Sequence, residues 1–205
     1  YQPEAYQKPG CPIIVDLNGD GLITVEDVDM KNVIPSLYWG FGNTFTYKNW
    51  DLDVFIYSQL GVDKYNDVYS WTSGRGLGNQ TNNMSVYIKD VWHSELNPNG
   101  TIPGIAYEMA SVSLPGGAGT DIGYENSSFV RVRNITLGYN FKPNQLGALS
   151  KLLSGIRVYV DVQNPFTFTG YTGLDPEVNT GGNYKGGKAE YPQTRTFSLG
   201  AKLSF

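Results

Sequence analysis

A chain of 205 residues that is 40% hydrophobic can form one domain or a large piece of a bigger one. Its formal net charge of −4 offers no basic stripe to neutralise phosphates, which argues against a nucleic-acid partner. No apolar run approaches the ~18 residues of a transmembrane helix, a test that β-barrel strands escape because they carry only an alternating signal. Aromatic residues make up 14% of the chain, and Gly, Asn and Thr are frequent, a composition that favours strands and long irregular loops. The single cysteine, Cys11, can form no internal disulfide. The sequence opens on Tyr-Gln-Pro-Glu, with neither a Met nor a signal peptide. For an exported protein this predicts a further N-terminal portion, and with it a C-terminal piece of a longer chain.

Residues 1–15 are irregular and end in the apolar run Ile13-Ile14-Val15. The stretch 16–27, Asp-Leu-Asn-Gly-Asp-Gly-Leu-Ile-Thr-Val-Glu-Asp, follows the calcium-loop pattern. Asp16, Asn18 and Asp20 would coordinate through side chains, Leu22 through its carbonyl, and Asp27 would close the site, with Thr24 at the position that often acts through water. Gly21 permits the sharp turn that such a loop needs. Two features depart from a complete EF-hand. Pro12 and β-branched residues upstream leave no entering helix, and Asp27 is shorter than the usual Glu. A metal-free Asp/Asn/Gly turn fits the same residues. Thr24-x-x-Asp27 also reads as a capping box, predicting a short helix to about residue 33 before Pro35 stops it.

A period of two begins at Leu37. Leu37, Trp39, Phe41, Phe45 and Tyr47 share one face, and Tyr38, Gly40, Gly42, Thr44 and Thr46 the other. Lys48-Asn49 predicts a tight hairpin, after which Trp50, Leu52, Val54 and Ile56 form an apolar face against Asp51 and Asp53. Tyr47 and Trp50 flank that turn like part of an interfacial aromatic girdle, although a soluble sandwich core would use the same aromatics. Residues 60–127 read as one long insertion with a helix over 84–92 and a turn at Asn97-Pro98-Asn99-Gly100.

A third strand covers 129–141. Ile135, Leu137, Tyr139 and Phe141 alternate, while Val130 and Val132 stand in the opposite phase, so either a bulge lies near Arg133-Asn134 or the upper strand has left the lipid. A turn of helix is predicted at 146–153, a fourth strand at 156–164, a second long loop at 165–192 and a final strand at 196–205. In the last, Phe197, Leu199, Ala201, Leu203 and Phe205 oppose Thr196, Ser198, Gly200, Lys202 and Ser204. Nine to eleven tilted residues cross a bilayer. Connections of alternating length, long on one side and short on the other, are the pattern of an outer-membrane barrel. A compact soluble domain would not hold a loop like 60–127. The expected fold is therefore all-β, with five strands of a transmembrane antiparallel barrel over 37–205 and an extracellular loop over 1–36.

Several stretches together resemble the SusC/RagA family of TonB-dependent outer-membrane transporters of Bacteroidetes. They are the Asp16–Gly21 loop followed by Phe41-Gly42-Asn43-Thr44-Phe45-Thr46-Tyr47-Lys48-Asn49-Trp50-Asp51-Leu52, then Ser128-Phe129-Val130-Arg131-Val132-Arg133-Asn134-Ile135-Thr136-Leu137-Gly138-Tyr139. Arg157-Val158-Tyr159-Val160-Asp161-Val162-Gln163-Asn164-Pro165-Phe166, Gly170-Tyr171-Thr172-Gly173-Leu174-Asp175-Pro176-Glu177 and the ending from Tyr191 continue the likeness in the family's order. The resemblance implies a barrel of about 22 strands around a plug, multi-pass in the outer membrane. It also implies import of oligosaccharides or peptides with a SusD-like lipoprotein lid, powered by the TonB complex through the missing N-terminal part. Phe205 matches the terminal aromatic recognised in barrel assembly.

No enzyme constellation stands out. His93 is the sole histidine, and no nucleophile elbow or paired-carboxylate motif is present. The alternative class is a secreted, dockerin-like calcium-dependent binding module, which would normally show a second calcium loop, and none follows. Tyr69, Trp71, Tyr87 and Trp92 could stack on a substrate's sugar faces or pack the long loop onto itself. They are the candidates for an outer substrate cavity.

Overall fold

A computed structural model describes residues 6–66, 69, 84–104, 121–178 and 191–205. The alternating stretches form strands β1 (Leu37–Tyr47), β2 (Trp50–Leu60), β5 (Phe129–Phe141), β6 (Gly155–Thr169) and β7 (Thr196–Ser204). Two short strands, β3 (Asp63–Tyr65) and β4 (Tyr124–Asn126), pair as a separate ribbon. The five long strands make one sheet in the order β1-β2-β5-β6-β7, antiparallel throughout. The expected all-β fold, with five long antiparallel strands, is thus what the chain adopts.

Register places like with like. Phe45 faces Leu52, which faces Leu137, which faces Val160, which faces Leu199. This row and its neighbours form a continuous apolar face, on which Phe197 and Leu199 are 71% and 78% exposed. Exposure of that extent means the face has no protein against it among the described residues. Apolar strand faces in open water cost about 25 cal/mol per Å², so such a sheet is stable where lipid covers it. The opposite face carries Thr44, Asp51, Asp53, Thr136, Asn140, Arg157, Tyr159, Asp161 and Lys202, and is taken as the lumen face.

The phase break in β5 is a bulge. Val132 and Asn134 both find partners on β2 and β6, and Arg133 between them pairs with neither. The extra residue turns Val130 and Val132 to the apolar face and Phe129, Arg131 and Arg133 to the polar one. The fourth strand is longer than the sequence suggests, running to Thr169 instead of ending at Asn164, so the second long loop begins at Gly170. Asn164 adopts φ 50° and, with the buried Pro165, forms the matching irregularity opposite Arg133. Pairing then resumes at Phe166 opposite Val132.

The predicted helices shrink to 3-10 turns at Val25–Asp27, Val86–Asp90 and Gly147–Lys151. After Asp27 the chain turns extended at Val28 (φ −84°, ψ 110°), so the capping box is real but caps a single turn. The β1–β2 hairpin closes through Lys48, held at φ 57°. The ladder of β7 ends at Ser204, leaving Phe205 89% exposed beyond it. At the turn end of the sheet, Trp50, Tyr139 and Phe141 stack edge to face at 4.8 and 4.7 Å, with Asn49 and Gln145 donating to the Tyr139 hydroxyl. Of the two aromatics expected to flank that turn, Trp50 joins this cluster, while Tyr47 stays exposed with Lys48 over its ring.

Candidate functional site

On the polar face, alternation puts Asp51 and Asp53 on β2 across from Thr136, Gly138 and Asn140 on β5, with Arg157 one strand further on β6. Arg157 reaches back over Gly138 to Asp51: its Nε lies 3.2 Å from both carboxylate oxygens, and its Nη2 donates to Oδ2. Asn140 donates to Asp51 at 2.5 Å, Thr44 to Asp53 at 2.5 Å and Thr136 to Asp161 at 2.6 Å. Each carboxylate of this face is thus met by a donor from a neighbouring strand.

A second ionic cluster closes the loop end of the sheet. Arg131, 2% exposed, donates to Asp175 at 2.8 Å, Glu177 at 2.7 Å and the Thr167 hydroxyl at 2.9 Å. Arg133 also binds Glu177, its guanidinium lying 5.3 Å from the Tyr57 ring centre. Lys64 on β3 donates to the carbonyls of Pro176 and Val178. Glu125 on β4 accepts from Thr172 N–H and Oγ1, each at 2.8 Å, and from Asn66. Loop 170–178 is therefore fastened to both sheets. Burial pushes the Asp175 carboxyl up, but the Glu177 and Gln193 N–H groups and Arg131 outweigh it and hold it below the usual range. Nothing local in the sequence joins these arginines to their acids, which lie 44 to 46 residues away. Two arginines flanking a phase break were the available signal.

In loop 16–27, Asp16 accepts from the N–H groups of Gly19 and Gly21 (2.6 and 2.7 Å), Asn18 from Asp20, and Asp20 from Leu22. Asp27 accepts from Thr24 at 2.7 Å and, across the loop, from Leu17 at 2.8 Å. The Thr24 N–H is the largest influence holding the Asp27 carboxyl below its usual range. Among the described residues no three His, Cys, Asp or Glu side chains converge as a metal-ligand group.

Of the aromatic candidates, Tyr69 and Tyr87 meet edge to face at 5.8 Å. They line a cavity of about 380 Å³ with Asp90, Thr101, Ile102, Gly123, Glu125 and Thr172. Trp92 goes elsewhere: its ring lies against Gly10 and Gly104, where any added Cβ would crowd it. Trp71 lies outside the described residues. His93 caps a turn, its Nδ1 accepting from Glu95 and Leu96 N–H.

An antiparallel sheet with an apolar outer face, an ion-paired inner face and pairing that continues past neither β1 nor β7 among the described residues is a segment of a membrane β-barrel wall. No family model matches the chain. It is 33% identical over 98% of its length to the TonB-dependent receptor SusC of Bacteroides thetaiotaomicron. It is 31% identical over 96% of its length to the TonB-dependent receptor P3 of Formosa agariphila. It spans 19% of each of these relatives. Its fold matches the RagAB peptide importer in the closed-closed state with a TM-score of 0.65 at 27% identity, covering 85% of this chain and 18% of that one. It matches the RagAB peptide transporter with a TM-score of 0.68 at 25% identity, covering 90% and 19%. Over nearly its whole length the chain is thus homologous to part of the TonB-dependent receptors SusC and P3, and it shares its fold with part of the RagAB transporter. These relatives are named as receptors and transporters rather than as enzymes, in keeping with the lack of a catalytic constellation in the sequence.

Proposed function

We propose that the chain forms part of the wall of a TonB-dependent transporter in the outer membrane, which imports oligosaccharides or peptides. A SusD-like surface lipoprotein is its partner, and the TonB complex supplies energy through another part of the protein. The wall carries this reading: an apolar face extends across all five strands, interrupted only at Asn43 on β1 and the buried Ser58 on β2, while every inner carboxylate is paired across strands. A secreted calcium module would have no use for so open an apolar face. In cells lacking the gene and complemented with the complete protein, uptake of labelled oligosaccharide and oligopeptide mixtures tests the proposal. Uptake of one class should return and should fall when an uncoupler removes the proton gradient. Equal uptake with and without the protein, for both mixtures, would contradict it.

The Tyr69–Tyr87 cavity is the described place where a substrate could meet this loop region. Its two phenol rings, two threonines and the carboxylates of Asp90 and Glu125 suit a neutral or cationic polar ligand better than an anion.

Loop 16–27 would take a structural calcium ion through Asp16, Asn18, Asp20, the Leu22 carbonyl and Asp27. The reach of Asp27 to the Leu17 N–H, across the loop, favours this in spite of its short side chain. The ion's double charge would offset part of the negative charge of a loop containing Asp16, Asp20, Glu26 and Asp27. Adding calcium after chelation should slow amide exchange over 16–27, and Asp16→Ala with Asp20→Ala should abolish the difference. Identical exchange with and without calcium would end the assignment.

A further inference from the structure

We propose that the cavity between Tyr69 and Tyr87 is a subsite for a primary ammonium group on the transported oligomer, with Asp90 as its counter-ion. The inference rests on the transporter reading above, which supplies the oligomer. Three segments meet at this cavity: the 3-10 turn Val86–Asp90, the ribbon of β3 and β4, and loop 170–178. Asn66 ties the ribbon to the loop and to Tyr69. It is 2% exposed, its Oδ1 accepts from the Tyr69 N–H at 3.0 Å, and its Nδ2 donates to Glu125 at 2.8 Å and to Thr172 at 3.1 Å. The turn is held from its own side by the buried Ile102, whose N–H donates to the Asp90 carbonyl at 3.0 Å. The backbone of Asp90 is therefore fixed while its carboxylate stays exposed.

Charge decides the ligand. Asp90 and Glu125 both line the cavity, and no lysine, arginine or histidine stands with them among the described residues of the lining. Glu125 is met by neutral donors, the Thr172 N–H and hydroxyl and the Asn66 amide. Its neighbour across the ribbon, Lys64, donates instead to the carbonyls of Pro176 and Val178. The Asp90 carboxylate has neither a hydrogen bond nor an ion pair among the described residues. Two phenol rings, edge to face at 5.8 Å, complete the site. Such rings take a sugar face or a cation, and the carboxylates separate the two. A sugar hydroxyl offers Asp90 one neutral donor in place of water. An ammonium offers three charged ones and is drawn to the ring faces as well. The volume, about 380 Å³, is near the small end of the range of about 300 to 1,000 Å³ for ligand sites. It seats one residue of an oligomer and leaves the rest to other surfaces.

Basic peptides and amino-sugar oligomers both carry this ammonium, and the test separates them. Binding to the purified complete protein in lipid nanodiscs is read by calorimetry, apart from transport. The probes are trilysine, a glucosamine trimer and the fully acetylated form of each. At least one amine-bearing probe should bind, about tenfold or more tighter than its acetylated form, and which one binds names the source. Asp90→Asn removes the charge of an exposed, unpartnered side chain and should weaken that probe about tenfold, with no effect on the acetylated forms. Tyr87→Leu should weaken it about two- to fivefold. Acetylated probes that bind as tightly as the amines, or no binding of either amine, would overturn the inference. Asp90→Asn binding like the parent would do the same. So would an unaffected Tyr87→Leu, because the cation would then sit on a surface carboxylate outside the cavity. The expected binding in a protein that imports neither peptides nor oligosaccharides would instead overturn the transporter reading and leave the ammonium site standing.

Discussion

Arg131→Ala should destabilise the loop end of the wall by about 3–5 kcal/mol, the range for breaking a buried ion pair from one side. The arginine is 2% exposed, and its removal leaves Asp175 and Glu177 facing each other without their shared cation. Arg133 can still hold Glu177, so the unpaired burden falls on Asp175. Denaturant unfolding of the complete protein in lipid would measure the loss, and limited proteolysis should show cleavage within 170–178 that the parent resists. The acid partner gives a pH signature. Because the folded-state carboxyl of Asp175 is held below its ordinary value, its stabilisation is present above about pH 4 and is lost as pH falls through the lowered value. Asp175→Asn should therefore weaken the protein at pH 7 and converge with the parent in strong acid. A gap between the two that is independent of pH would show that the charge is not what matters.

Leu199→Arg should cost about 2–4 kcal/mol, the cost of a cation on the lipid face at mid-membrane. Leu199 pairs with Val160 in the apolar row and is 78% exposed, so nothing in the described protein shields it. Lys202→Ala, three residues along on the polar face, should cost far less. Lys202 sits opposite Arg157, so its loss even removes a like-charge neighbour. Equal costs for the two substitutions, read from unfolding in the same lipid, would rule out the proposed membrane orientation.

The sheet was legible because alternation is a local property. In β7 every residue could be assigned to its face from spacing alone, and in β1 every one but Asn43, a polar residue that falls on the apolar face opposite Val54. The bulge at Arg133 was also foreshadowed, since a phase change cannot be hidden in a sequence. The continuation of β6 was not. Proline normally ends a ladder because it lacks a donor, but Pro165 sits inside an irregularity where no inter-strand N–H is required, and Phe166 and Phe168 resume the apolar face. The Arg131–Asp175 contact, 44 residues apart, depends on register and loop path, which no local pattern encodes. The helix over 24–33 failed for a related reason. Asp27 satisfies its capping role and then spends its other oxygen on Leu17, tying the turn back to the loop instead of letting it propagate. The aromatic candidates divided by glycine: Trp92 is claimed by Gly10 and Gly104, whereas Tyr69 and Tyr87 are left at a cavity.

The central claim is that this sheet crosses a membrane with one face to lipid and one to water. Site-directed spin labels placed singly along β7 in the complete protein, with Cys11 replaced and the protein in lipid bilayers, test it most directly. Labels at 197, 199, 201 and 203 should be accessible to oxygen and shielded from a water-soluble nickel reagent, and labels at 198, 200 and 202 should be less accessible to oxygen than these. Collisions with the nickel reagent that are equally high at odd and even positions would contradict the account.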